Sequence, residues 1–129
     1  MAKNNRQKIP KGPAKGNRRQ PSDISSNGLP RRSCPTWRAL DVVGEKWSLL
    51  VVRTFVLCGV LRFQDLQQKL AGIAPNTLSA RLKTLEKQGV IGRRFYVQHP
   101  PRCEYFLTEK GEDLRPIIMA IRHWGEAYT

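Results

Sequence analysis

The chain has 129 residues, and its 23 Lys and Arg outnumber its 10 Asp and Glu, which gives a formal net charge of +13. This length predicts one domain, or one domain with a tail. A chain so small and basic is expected to meet a polyanion, either nucleic acid or an anionic membrane face. No apolar run approaches the ~20 residues of a membrane-spanning helix, and no apolar segment follows the basic N-terminus as in a secretory signal. We therefore expect no membrane partner.

The first 33 residues differ in composition from the rest. They hold nine basic side chains and one acidic one (9 − 1 = +8), whereas residues 34–129 hold fourteen and nine (14 − 9 = +5). Repeated Pro and Gly and isolated apolar residues leave too little surface to bury against the chain entropy. We expect a disordered basic arm over 1–33, which either attracts phosphates without specificity or only solubilises the chain, and a folded domain over 34–129.

Hydrophobic periodicity predicts alternating helices and short strands in the folded part. The second helix is apolar on most faces and is expected at the centre of the domain. Leu78, Leu82 and Leu85 form a narrow apolar stripe on the fourth. The predicted elements are helix 35–43, helix 46–57, strand 61–63, helix 64–70, helix 75–88, strand 90–97, strand 103–107 and helix 109–127.

Glycine, proline and a capping residue set the predicted boundaries. Gly89 ends the fourth helix as a C′ glycine. Two prolines in residues 98–102 cannot donate ladder hydrogen bonds, so this segment is predicted to be the loop between two antiparallel strands. Thr108 is the expected N-cap of the last helix, and Pro116 should kink that helix.

Two short helices joined by a tight turn, with a two-stranded ribbon after them, predict a winged helix-turn-helix: mainly α with a small β-hairpin. The second helix of the pair can enter a major groove about 12 Å wide, and its outward face is small, polar and free of acid. The basic ribbon can straddle the DNA backbone. The predicted contacts with double-stranded DNA are Pro75, Asn76, Thr77, Ser79, Ala80 and Lys83 on the helix, Arg94, His99 and Arg102 on the ribbon, and Arg62 before the helix pair.

Each predicted contact has a structural alternative. The helix face is otherwise an ordinary solvated surface, and His99 otherwise caps its turn. Arg62 otherwise pairs with Asp65 or Glu86. The roles of Arg81 and Lys87, as phosphate contacts or as exposed side chains, are left open, and Arg93 belongs with the basic ribbon.

Five blocks in one order resemble the HxlR-type (MarR-like) family of winged-helix transcriptional regulators. They are Cys34-Pro35, the segment 40–47 (LDVVGEKW), the segment 61–66 (LRFQDL), the segment 72–83 (GIAPNTLSARLK) and the segment 100–111 (PPRCEYFLTEKG). The resemblance implies homodimers that bind operator DNA as repressors or activators. It departs from the family pattern at Ala74, where a capping Ser usually precedes the proline. We expect a repressor, with an HxlR-type DNA-binding domain over 34–129.

The first and last helices carry more large apolar residues than a small domain needs. These residues either complete one monomer's core or lie across a two-fold interface. Two tryptophans on terminal helices favour the interface. The predicted dimer contacts are Trp37, Leu40, Ile117, Ile121 and Trp124.

Cys34 is the candidate redox sensor. It precedes a helix, and the positive end of the helix dipole favours a nucleophilic thiolate. The resemblance implies a cysteine here that often responds to oxidants or electrophiles; the alternative is a helix-start residue without a signalling role. Cys58 and Cys103 are expected to be structural. Three scattered cysteines predict no disulfide framework and a reduced, cytoplasmic protein.

Other function classes fit the sequence less well. A ribosomal or other RNA-binding protein matches the size and charge, but not the polar helix face or the apolar last helix. An enzyme is not predicted, because no nucleophile has a base at catalytic spacing and no glycine-rich phosphate loop follows a strand. His99 and Cys103 lack two further ligands, so no metal or cofactor is expected. We predict a regulator located with the nucleoid.

Overall fold

The computed structural model describes residues 33–129, so the predicted basic arm lies outside the described residues except for Ser33. Residues Pro35–Thr129 fold around one apolar core. The elements in chain order are α1 (Pro35–Val43), α2 (Lys46–Cys58), β1 (Leu61–Arg62), α3 (Phe63–Lys69), α4 (Pro75–Lys87), β2 (Ile91–Gln98), β3 (Pro101–Leu107), α5 (Glu109–Glu112) and α6 (Arg115–Tyr128).

Helix α2 lies at the centre of the domain, which confirms the prediction from its apolar sequence. Val51 and Val52 are fully buried, and Phe55 is almost so. The one buried threonine satisfies its hydroxyl within the helix, since Thr54 Oγ1 donates to the Leu50 carbonyl oxygen over 2.8 Å. The core therefore contains no unpaired polar side-chain atom among the described residues.

Helices α3 and α4 form the predicted helix-turn-helix. Leu66 of α3 and Leu78 of α4 are both fully buried in the same apolar core, which holds the two helices to the domain. The turn between them depends on Gly72, whose φ of +88° is readily adopted only by glycine. Gly89, with φ of +74°, ends α4 as predicted. The fold is thus mainly helical with a small antiparallel sheet, as a winged helix requires.

The ribbon is longer than predicted and has a third strand. The antiparallel sheet has the order β1-β3-β2, with Leu61 opposite Tyr105 and Arg94 opposite Glu104. The predicted loop joins two antiparallel strands as expected, but its bounds of 98–102 were wrong: it is only the His99–Pro100 turn, because β3 begins at Pro101, opposite Gln98. A proline is tolerated as the first residue of a strand, where its missing N–H breaks no interior ladder.

The predicted single, kinked last helix is two helices. Helix α5 ends at Glu112, and α6 begins at Arg115, which makes Pro116 the second residue of α6 rather than an interior one. The first N–H groups of a helix have no intrahelical partner, so a proline there costs no hydrogen bond. Thr108 is the predicted N-cap, since its Oγ1 accepts from the Gly111 N–H over 3.2 Å.

Two glycines on the last two helices should respond oppositely to alanine. A Cβ at Gly111 would clash with the Val90 carbonyl oxygen and lie 2.8 Å from Leu107 Cδ2, whereas at Gly125 the only near atom is Thr129 Oγ1 at 3.9 Å. We expect Gly111→Ala to lower the free energy of unfolding by about 3 kcal/mol. Gly125→Ala should raise it by up to ~1 kcal/mol, because alanine is the better helix former. Urea titration of both variants checks this; equal stabilities would contradict the packing of α5 against Val90 and β3.

Candidate nucleic-acid interface

Helix α4 has one buried apolar side and one polar side that is directed away from the core. Leu78, Leu82 and Leu85 are at most 2% exposed, and they hold one side of the helix in the core. At 3.6 residues per turn, Asn76, Ala80 and other predicted contacts lie on the opposite side. We call this side the groove face; it consists of Asn76, Thr77, Ser79, Ala80 and Lys83, of which Thr77 and Ser79 are half-buried and the other three are exposed.

The groove face begins at an uncapped helix end. Pro75 is the exposed first residue of α4, and Ala74 precedes it with extended backbone but no capping side chain. A serine or threonine at this position is typically worth ~1 kcal/mol of helix stability. Helix α4 therefore lacks the side-chain cap that a serine in place of Ala74 would provide.

Strands β2 and β3 with the His99–Pro100 turn form the wing beside α4. His99 and Arg102 at its tip are exposed, and neither side chain has a hydrogen bond or ion pair within residues 33–129. Arg94 is paired instead: its Nε lies 2.5 Å from Glu104 Oε1 across the sheet. An exposed ion pair of this kind contributes at most about 1 kcal/mol, so Arg94 can exchange Glu104 for another anion.

Arg62 lies where β1 passes into α3. Its backbone N–H donates to Asp65 Oδ2 over 3.0 Å, so Asp65 caps the helix rather than pairing with the guanidinium. The guanidinium carbon of Arg62 lies 4.8 Å from the centre of the Tyr96 ring. Such stacking restricts the arginine while leaving its donors free. Sequence reasoning missed Tyr96, although its place in a strand where two aromatic residues follow two arginines was a signal.

The remaining cations near α4 differ in their partners. Arg93 Nε lies 3.2 Å from Glu86 Oε1, which ties β2 to α4. Arg81 makes a looser pair with Glu45 at 3.9 Å, so it points toward the start of α2. Lys83 and Lys87 have no ion pair within the described part of the chain.

Helices α1 and α6 each expose large apolar side chains. Leu40 is 57% exposed, Ile121 51% and Trp124 63%. Ile117 is also exposed, and Trp37 is half-buried. We call Leu40, Ile117, Ile121 and Trp124 the apolar stripe. A cavity of about 380 Å³ between α2 and α6 adjoins this stripe at Ile121.

The cysteines and charged residues form no further constellation. Cys34, Cys58 and Cys103 are free thiols. No group of three or more metal-ligating side chains comes together in the segment 33–129. No helix among the described residues has the length and hydropathy to cross a membrane.

Comparisons with known proteins match this architecture. A family model described as HxlR-like helix-turn-helix matches residues 42–129. The chain is 37% identical over 112 residues to YdeP of Bacillus subtilis (strain 168), named an uncharacterized HTH-type transcriptional regulator, covering 87% of this chain and 85% of YdeP.

Two solved structures carry the same fold. The redox regulator HypR in its oxidized form is 35% identical with a TM-score of 0.69, covering 74% of this chain and 98% of HypR. The reduced form of the transcriptional regulator YodB from B. subtilis is 27% identical with a TM-score of 0.63, covering 74% and 93%. The family is one of regulators rather than enzymes, and the chain belongs to it: this protein is a transcriptional regulator of the HxlR-like helix-turn-helix family.

Proposed function

We propose that the protein is a homodimeric repressor that binds operator DNA through the groove face of α4 and the wing. The observation that carries the proposal is the exposed, acid-free groove face beside a basic wing tip. Asn76 can form a bidentate pair with adenine, and the Ala80 methyl can contact a thymine methyl. Arg102 on the wing and Arg62 supply cations for the adjacent backbone, and His99 on the wing supplies a hydrogen-bonding side chain.

The apolar stripe supports a two-fold dimer. Ile117, Ile121 and Trp124 recur at i, i+4 and i+7, so they lie on one face of α6. Large exposed apolar side chains in one row are typical of protein interfaces. A dimer would place its two α4 helices about one DNA turn apart, roughly 34–36 Å. Bound over a promoter in the cytoplasm, it would exclude the polymerase by occupancy.

We also propose that the thiol of Cys34 modulates this binding. Cys34 directly precedes α1, the helix that carries Leu40 of the apolar stripe, so added bulk there would disturb the dimer. HypR, which is similar to this chain, is named a redox regulator. Alkylation with iodoacetamide should change operator affinity when Cys34 is the only thiol, with Cys58→Ser and Cys103→Ser in place. Unchanged affinity would contradict a sensing role.

The proposed function is tested by selection. A random pool of DNA duplexes passed over the full-length protein should converge on an inverted repeat with half-site centres 10–10.5 bp apart. The selected duplex should also win against structured RNA at physiological salt. No convergence, or a preference for RNA, would contradict the proposal.

A further inference from the structure

A second cavity lies beside the groove face, between the C-terminal half of α4 and the inner face of the sheet. Its volume is about 290 Å³. The polar residues that line it are Ser79, Lys83, Glu86 and Lys87 of α4, Arg93 of β2 and Tyr105 of β3. We call it the α4–sheet cavity.

The cavity is cationic. Three basic side chains face one acidic one, so its formal charge is 3 − 1 = +2. Arg93 and Glu86 are paired at 3.2 Å, but both remain partly exposed, with 47% and 35% of their side chains accessible. Lys83 and Lys87 keep their charges unpaired within the described residues. The cavity therefore has two lysines free to bind an anion and one arginine that can exchange its glutamate partner for an anion.

Two neutral donors complete the lining. Ser79 offers a hydroxyl from α4, and Tyr105 offers a phenol from the middle strand of the sheet. Burial raises the pKa of the Tyr105 phenol, and a hydrogen bond with Cys103 raises it further. The phenol therefore stays neutral, and its O–H must leave Cys103 before it donates to an anion.

The position of the cavity along α4 matches the edge of a major groove. Asn76 and Lys87 are eleven residues apart, or ~16 Å along the helix axis at 1.5 Å per residue. The major groove is only about 12 Å wide. If the axis of α4 crosses the groove with Asn76 against the base edges, Lys87 lies beyond the groove, where the sugar-phosphate backbone runs. Lys83 belongs to both surfaces, so the groove face and the cavity are continuous.

We propose that the α4–sheet cavity holds a phosphate of the DNA backbone between Lys83, Lys87 and Arg93, and that Arg93 exchanges its Glu86 partner for this phosphate on binding. The inference rests on the proposed DNA-binding function and deepens it. Charge-assisted hydrogen bonds from arginine to phosphate are strong and specific in geometry. The Glu86 carboxylate occupies Arg93 in the free protein and competes with the phosphate.

Because Glu86 competes with the phosphate, Glu86→Gln is expected to raise DNA affinity rather than lower it. This nearly isosteric change removes the competing carboxylate and its repulsion of the phosphate, so affinity for the selected duplex should rise about tenfold. If the Glu86–Arg93 pair only ties β2 to α4, the variant should bind equally or more weakly. Fluorescence anisotropy measures the affinity, and a thermal melt verifies folding. Equal or weaker binding by the folded variant overturns the exchange.

Lys87→Gln tests the phosphate contact itself. Phosphate contacts carry no base information, so affinity should fall for the selected duplex and for a shuffled duplex by the same factor. The slope of log K against log salt should become shallower by about one for each engaged cavity. Arg115→Gln is the control, since Arg115 is exposed and paired with Glu112 at 2.9 Å outside the cavity. A Lys87→Gln slope equal to that of the control overturns the assignment.

A free anion is the other source of the same chemistry. Inorganic phosphate, added at matched ionic strength, should bind the free protein more tightly than the protein–duplex complex, because the duplex already fills the cavity. Equal binding of phosphate to the free protein and to the complex, abolished in both by Lys87→Gln, would assign the cavity to a free anion and overturn the DNA contact. Suppose that wild-type protein prefers its selected duplex, but the titration curves of Lys87→Gln and Glu86→Gln are the same as the wild-type curve. The cavity proposal is then wrong, while the proposed DNA-binding function still holds. If wild-type protein shows no preference, the proposed function fails first.

Discussion

Replacing Ile121 by glutamate should convert the protein to a monomer at micromolar concentration and lower operator affinity at least about a hundredfold, because linked half-site contacts gain avidity from each other. Ile121 is 51% exposed in the middle of the apolar stripe and also lines the cavity between α2 and α6. A carboxylate there is solvated in the monomer but would be desolvated without a partner in the dimer, which costs several kcal/mol. Sedimentation velocity gives the oligomeric state, and anisotropy gives the affinity.

The control for this substitution is on the same helix. His123 is exposed and lies two residues on, or about 200° around α6 from Ile121, so His123→Glu adds a charge on the opposite face. It should leave both the dimer and the affinity unchanged. A folded Ile121→Glu variant that stays dimeric would show that the apolar stripe is not the interface. One that dissociates yet binds the operator as tightly as before would show that the half-sites act independently.

Asn76→Asp should abolish sequence preference without harming the fold. Asn76 is exposed in the first turn of α4, where the helix dipole favours a negative charge, so stability should hold or rise slightly. On DNA, the change removes the amide donor to adenine and places a carboxylate in a negative groove. Each lost bidentate contact costs about 1–3 kcal/mol, so two half-sites should lose roughly a hundredfold or more in affinity.

Gln88→Glu is the matched control for Asn76→Asp. Gln88 is the exposed C-cap of the same helix, and the change is again amide to carboxylate. It adds an identical charge to the dimer, so long-range repulsion is the same, but it lies at the far end of α4 from the proposed base contacts. Anisotropy with the selected and shuffled duplexes measures both variants. Gln88→Glu should weaken both duplexes alike, because it adjoins the proposed phosphate contact of Lys87. If both variants keep the wild-type preference for the selected over the shuffled duplex, Asn76 makes no base contact and charge alone explains the losses.

The elements that the sequence predicted best are those with strong local signals. The leucine stripe at 78, 82 and 85 predicted α4, and the predicted bounds differ from the observed ones by one residue. Gly89 was predicted to end the helix because glycine readily adopts a positive φ, and it does so with φ of +74°. The apolar run in α2 likewise predicted its central place. These features depend on periodicity and capping, which are properties of a short segment of chain.

The parts that the sequence predicted poorly depend on position within an element. A proline in the interior of a strand or helix breaks its hydrogen bonding. Pro101 and Pro116 instead stand at the first or second residue of an element, where a missing N–H costs no hydrogen bond. Composition alone does not distinguish the two situations. The prolines were therefore assigned to a loop and a kink instead of a strand start and a helix start.

The partners of the candidate contacts were also beyond sequence reasoning. Arg94 meets Glu104 because β2 and β3 pair in one register, and Tyr96 reaches Arg62 where a bulge follows Phe95. Register and bulge are set by pairing between distant segments. By contrast, the exposed groove face was predictable, since it follows from the position of the leucine stripe on the same helix.

Directed cleavage tests most directly whether α4 enters the major groove. The protein would carry Ala80→Cys with its three native cysteines replaced by serine, and an iron chelate on the new thiol would cleave DNA nearby. We predict two cleavage centres on the selected duplex, on its major-groove side and 10–10.5 bp apart. Absent cleavage from a protein that still binds, or cleavage centred in the minor groove, would contradict the account.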